Sequence, residues 1–200
     1  MFASLLHDDD ARRAAEVVTA LLAHGLRCAL TGGLAIDAQL RVHGRSIEPR
    51  ALNDIDFVVQ DFASIPGSLA ASFVSHHVHP AAIDGKTLLQ LVDQQHAMRI
   101  DLFHALGSTL SRAIRLDSET GELNVLSVED LVARTTALVC GRLRRGQSVD
   151  VTHATAFSRL FGLGRREHWR RHGTTTTNRC PELSTEPHVR RHGYWTPIPS

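Results

Sequence analysis

In the stretch DDDARRAAEVVTALLAHG, residues 8–25, Val17, Val18, Leu21 and Leu22 share one helical face, acidic residues open the run and Gly25 closes it. That spacing predicts an amphipathic helix. The pattern then shortens: RCALT, residues 27–31, reads as a buried strand, Gly32-Gly33 as a turn, and LAIDAQLRV as a helix opened by that turn. In DIDFVV, residues 54–59, polar and apolar positions alternate, so Asp54 and Asp56 leave one face of a strand while Ile55 and Phe57 enter the core. GSLAASFVSHH, residues 67–77, is predicted helical. TLLQLV and MRIDLFH form a strand pair, with Asp101 beside Arg99 and Phe103 on the less apolar face of the second. AIRLDSETGELNVL, residues 113–126, suggests a β-ribbon. Ser127 then caps a helix with Asp130 at its third position, and a second helix is expected over 149–161. There is no internal repeat.

Composition narrows the class. Two hundred residues with 42% hydrophobic content can bury one core, and no apolar run approaches membrane-spanning length, so no membrane association is expected. The N-terminus lacks an export signal, which places the chain in the cytoplasm. Cys28, Cys140 and Cys180 form an odd set without metal-site spacing, as reduced thiols do, and Cys28 and Cys140 are expected in the core. The net charge of +1 is uneven: residues 165–200 hold seven arginines against three glutamates, +4, which leaves −3 on the first 164. This basic stretch is polar and proline-punctuated, and it is expected to be disordered, with at most weak contact to nucleic-acid phosphates. His76, His77 and His79 lack a metal-binding spacing, and Trp169, Tyr194 and Trp195 read as docking or solvated aromatics. No G-x-S-x-G elbow supports serine-hydrolase chemistry.

Chemistry concentrates around the glycines and aspartates. A strand, a Gly-Gly turn and a helix N-terminus aim backbone N–H groups and the positive end of the helix dipole at one point, which suits a phosphate. Taken singly, the glycine pair is most often a plain turn and the alternating aspartates an exposed strand edge; their occurrence together, in order, shifts the balance. Asp54 and Asp56, with Asp101 from another strand, would suit Mg²⁺, which takes oxygen ligands and completes its shell with substrate phosphates. Phosphate and metal together point to a nucleoside triphosphate.

TGGLAID, NDIDFVV and RIDLF, taken together, resemble the signature of the polymerase-β-like nucleotidyltransferase superfamily. GGLAIDAQL is similar to the antibiotic-modifying members that act on aminoglycosides and lincosamides, and Arg50, four residues before Asp54, resembles the abortive-infection nucleotidyltransferase toxins. The resemblance runs from about Cys28 to Phe103. It implies an α+β fold, a mixed sheet flanked by helices; with the element pattern and the composition of the C-terminal stretch, which the resemblance does not reach, the chain divides into a core over 1–126, a helical segment over 127–164 and the tail over 165–200. It also implies transfer of a nucleoside monophosphate from a triphosphate, expected to be ATP, to an acceptor hydroxyl on a small molecule, a tRNA or a protein. Under it, Gly32 and Gly33 would cradle phosphates, Arg50 and Arg134 would contact the nucleotide, Asp54 and Asp56 would ligate Mg²⁺, and Asp101 would share a metal or take the acceptor proton. Arg41 and Arg45, in the loop before Asp54, read as solvated.

Two positions depart from the pattern. Thr135 and Val149 stand where relatives carry lysines, and Arg134, Arg142 or Arg144 would have to substitute. The alternative reading is therefore a non-catalytic nucleotide- or partner-binding module on the same fold, such as one half of a toxin–antitoxin pair.

Overall fold

The computed structural model describes residues 1–78, 88–149, 151, 155–156 and 158–163. Helix α1 spans Asp8–Ala23 and is followed by β1, Cys28–Thr31, α2, Gly32–Val42, and β2, Asp54–Val59. Strands β3 (Phe73–Val78), β4 (Leu88–Asp93) and β5 (Arg99–His104) come next, then the ribbon β6 (Ile114–Ser118) and β7 (Gly121–Val125), then α3, Val128–Arg144. The described residues at 155–156 and 158–163 are helical. One seven-stranded mixed sheet runs β3-β4-β5-β2-β1-β7-β6, an α+β arrangement as expected.

The central strands each carry apolar residues with no solvent exposure. Ile55, Phe57, Ile100, Leu102 and Leu30 are fully buried, which explains why β2, β5 and β1 occupy the middle of the sheet. Helix α1 buries Ala11, Ala14, Val17, Val18 and Leu21, the helical stripe its sequence predicts. Each large side chain in that stripe contributes about 1.5–3 kcal/mol by leaving water. The Asp10 carboxylate accepts from the Leu52 amide at 3.0 Å, and Arg50 pairs by backbone with Leu5 and His7 at 3.2 Å, so the loop after α2 is tied down before β2 begins. Ser127 caps α3 by accepting from the Asp130 amide at 3.2 Å, and Leu160 and Leu163 enter the core.

Two expectations are corrected. Residues 67–77 do not form one helix: a 3₁₀ turn over Gly67–Ala71 gives way to β3. Small residues favour the turn, but Phe73, 2% exposed, and Val74 pair with Asp93 and Val92 of β4, and that cross-strand packing outweighs local helical preference. Cys140 is exposed rather than buried, because α3 buries only Val128, Asp130 and Leu131 near its start. Cys28 is buried as expected, and burial pushes its thiol up to about 12. His79, the tail over 165–200 with Cys180, Trp169, Tyr194 and Trp195, and part of the helix expected over 149–161 lie outside the described residues. Among the described residues no helix is long and apolar enough to cross a membrane.

Candidate active site

Register brings the aspartates together. β2 and β5 are parallel neighbours in which Asp54 lies opposite Arg99 and Asp56 opposite Asp101. β1 runs antiparallel to β2 with Thr31 opposite Asp56, and β4 places Gln90 opposite Asp101. Directly opposed residues share a face, so Gln90, Asp101, Asp56 and Thr31 form one row across four strands, with Arg99 and Asp54 two residues further along it. Because β1 and β2 are antiparallel, the end of β1 meets the start of β2. The Gly32-Gly33 turn therefore opens beside the carboxylates.

That juxtaposition is tight. Gly32 has φ +67°, and a Cβ on it would lie 1.9 Å from Asp56 Oδ2, so both the backbone and the neighbouring carboxylate require glycine. A Cβ on Gly33 would come 2.9 Å from Arg50 Nη2, which puts that guanidinium at the mouth of α2. Helix α1 carries three aspartates in its first turn and α3 carries Glu129 and Asp130; α2 has no acidic residue there and no side-chain cap from Thr31. The carboxylate beside the α2 dipole comes instead from the neighbouring strand, as Asp56 against Gly32.

Arg99 is the feature the sequence reading missed. Its guanidinium donates to Asp54 and its Nε lies 3.6 Å from Asp101 Oδ1, while Gln90 Nε2 donates to the same Asp101 oxygen at 2.9 Å. The bond to Asp54, together with the charges of Asp54, Asp101 and Asp56, raises the Arg99 pKa against its partial burial. The available signal was the two-residue spacing from Arg99 to Asp101, which puts both on one face.

Above Phe103, on the same face, stands Arg134 of α3, 5.4 Å from the ring centroid. Desolvation lowers its pKa, against the pull of Asp56 and Asp130, so it is a half-buried cation directed toward the carboxylate row. Val149 precedes the described helical residues. Arg50 Nε donates to Asp37 Oδ2 at 2.8 Å. Arg41 is exposed and reaches only the Ser4 carbonyl, at 3.4 Å, and Arg45 is exposed as well.

The oxygen-only donors Asp54, Asp56 and Asp101 fit a hard divalent cation in chemistry, and Gly32 leaves the Asp56 carboxylate approachable from the turn. Among the described residues no three His, Cys, Asp or Glu side chains converge as a metal cage; the cation bonded among the carboxylates is Arg99. A divalent ion would take Asp54 in exchange for Arg99. Incomplete protein cages are usual for Mg²⁺, whose remaining ligands are water and substrate phosphate.

No protein-family model and no curated protein sequence matches the chain. Similar solved structures are an antigenic nucleotidyltransferase-like protein from Paracoccidioides brasiliensis and the antibiotic-resistance factor ANT(2'')-Ia. The first is 16% identical, with TM-score 0.49, over 79% of this chain and 78% of that one. The second is 16% identical, with TM-score 0.49, over 78% and 87%. The lincosamide antibiotic adenylyltransferase LnuA, lincomycin-bound, is 10% identical, with TM-score 0.48, over 80% and 99%.

Proposed function

We propose that this protein is a nucleotidyltransferase that moves a nucleoside monophosphate from a triphosphate, ATP by preference, to the hydroxyl of a small-molecule acceptor and releases pyrophosphate. The observation that carries the reading is Gly32 pressed against Asp56: it joins a phosphate-accepting turn to the in-register pair Asp56 and Asp101 in one site. A turn or an aspartate strand alone is commonplace. Their contact is what a polyphosphate and its counter-cation require.

Roles follow from position. Gly33, exposed at the start of α2, and the Arg50 guanidinium beside it would receive the terminal phosphates, where a missing Cβ allows close approach. Arg134, half-stripped of water, would gain most from an anion and would face the phosphates from the α3 side. Asp54, Asp56 and Asp101 would hold Mg²⁺, which when bound supplies neutralisation of phosphate charge during in-line displacement. Asp101, steadied through one oxygen by Gln90, would accept the proton of the acceptor hydroxyl as its oxygen bonds to the α-phosphorus and the bond to pyrophosphate breaks.

The second reading, a nucleotide-binding module without turnover, is favoured by the bond from Arg99 to Asp54, which neutralises a carboxylate that catalysis would need. One experiment separates them. The protein is incubated with Mg²⁺ and each labelled triphosphate against aminoglycosides, lincosamides, tRNA and protein. Label transferred from ATP to a small molecule with release of pyrophosphate supports the enzyme; ATP binding without transfer to any acceptor supports the module.

A further inference from the structure

Asp37 lies on α2, one and a half turns past Gly32, and its side chain is 8% exposed. It stands in a run, Leu34 to Leu40, that is buried throughout. A buried carboxylate is costly unless it is paired, and Asp37 is paired twice. Oδ2 accepts from Arg50 Nε at 2.8 Å, and Oδ1 faces Arg159 Nη1 at 3.5 Å. Arg50 comes from the loop before β2 and Arg159 from the helical residues near the end of the described chain, anchored there by buried Leu160 and Leu163. One carboxylate thus draws two guanidinium groups from distant parts of the chain to α2, Arg50 reaching over Gly33 and Arg159 lying against Oδ1.

The charges do not cancel. Two arginines on one aspartate leave an excess positive charge on this side of a helix N-terminus that has no acidic residue in its own first turn and meets the Asp56 carboxylate on its other side, at Gly32. Both arginines are about two-fifths exposed, at 41% and 40%, so each turns one edge to Asp37 and the rest outward. Arg50 spends Nε on Asp37 and Nη1 on the Ala51 carbonyl, while Nη2 points over Gly33.

We propose that Asp37 is a positioning residue that sets Arg50 and Arg159 side by side as a two-guanidinium clamp for the terminal phosphates of the nucleotide. The proposal rests on the triphosphate reading and adds to it a binding residue, Arg159, and the residue that aligns it. It also gives the buried Asp37 a function that packing does not: a fixed carboxylate holds each planar fork at a set angle, and less side-chain freedom is lost when phosphate binds.

Net charge and positioning predict opposite signs, which makes the test sharp. Removing a negative charge near a phosphate site should by itself tighten anion binding. If Asp37 aligns the clamp, Asp37→Asn should weaken it. Binding of inorganic tripolyphosphate and of ATP to the full chain is measured by calorimetry without divalent metal, with thermal melting as the control for folding. Asp37→Asn and Arg159→Gln should each lower tripolyphosphate affinity by roughly tenfold or more, the scale of one lost charge-assisted hydrogen bond. The double variant should lose much less than the product of the two. Arg115→Gln on β6, which removes the same charge elsewhere, should change affinity by less than twofold.

Equal or tighter binding by a folded Asp37→Asn protein, or unchanged binding by Arg159→Gln, overturns the clamp while the wild-type affinity leaves the triphosphate reading in place. Should Asp37→Asn fail to fold, Arg159→Gln and Arg159→Lys decide: unchanged affinity in the glutamine variant contradicts the proposal, and a loss partly restored by lysine supports it. A wild-type protein that binds neither ligand without metal but binds ATP with Mg²⁺ overturns the clamp alone; one that binds neither ligand under both conditions overturns the reading beneath it as well.

Discussion

Two charge clusters flank the Gly32-Gly33 turn, and each inverts the other. On the sheet face, three carboxylates, Asp54, Asp56 and Asp101, surround one arginine, Arg99. At the mouth of α2, two arginines, Arg50 and Arg159, share one carboxylate, Asp37. The first cluster is left with a net charge of −2 and the second with +1. A divalent metal carrying a polyphosphate would satisfy both at once, whereas a simple anion or a simple cation would satisfy one. The difference also shows how the molecule manages without ligand: each cluster carries one internal counter-ion, Arg99 in the first and the buried Asp37 in the second.

Breaking the junction between the clusters should have the largest effect. Gly32→Ala puts a methyl group into the Asp56 carboxylate at a backbone angle that alanine resists, and we expect a loss of about 2–4 kcal/mol in urea unfolding together with loss of nucleotide binding. Next in size, Asp54→Asn with Asp56→Asn should reduce metal-dependent ATP affinity at least about a hundredfold while the melting temperature stays about level, because relief of the like charges offsets loss of the partly exposed Arg99–Asp54 pair. Calorimetry and melting curves check the two halves of that statement.

Removing the internal counter-ion sharpens the comparison in the other direction. Arg99→Gln should tighten Mn²⁺ binding to the nucleotide-free protein by about tenfold, since Asp54 no longer has to exchange a guanidinium for the metal. Titration followed by electron paramagnetic resonance reads this directly. Weaker metal binding in the variant would show that Arg99 orients Asp54 and Asp101 rather than competing for them.

The smallest effect belongs to a carboxylate outside both clusters. Partial burial raises the Glu119 pKa, but the amides of Ala3, Glu119 and Phe2 and the terminal ammonium outweigh it and bring the group down to about 2. Its folded pKa lies below the ordinary carboxylate value, so its contribution is present at neutral pH and is lost as pH falls from about 4.5 toward 2. Glu119→Gln should remove a small part of the acid sensitivity of unfolding and leave ATP binding untouched.

The carboxylate cluster was the more legible of the two. Its members announce themselves by two-residue alternation within short strands, and Asp54, Asp56 and Asp101 lie on one face as that period requires. Arg99 obeys the same period, but its bond to Asp54 depends on the pairing of β5 with β2, which neither strand's own sequence displays. The arginine cluster leaves no such mark: Asp37 and Arg159 are 122 residues apart, and only the folded helices bring them together. A carboxylate inside LAIDAQL, surrounded by buried apolar residues, was the one available sign that α2 needed a charged partner. Residues 67–77 misled for a related reason, since the partner that makes Phe73 and Val74 a strand is β4, which local composition does not reveal.

The catalytic role of the carboxylate cluster is tested most directly by Asp101→Asn, assayed in parallel for ATP binding by calorimetry and for pyrophosphate release. Asp54 and Asp56 remain to hold a metal in that variant, whereas proton removal from the acceptor is needed mainly in the transition state. We therefore expect affinity within several-fold of the parent and turnover lower by about two to four orders of magnitude, the usual worth of a general base. Equal loss of binding and turnover, or loss of neither, would contradict the role of Asp101 and with it the reading of the cluster as a catalytic site.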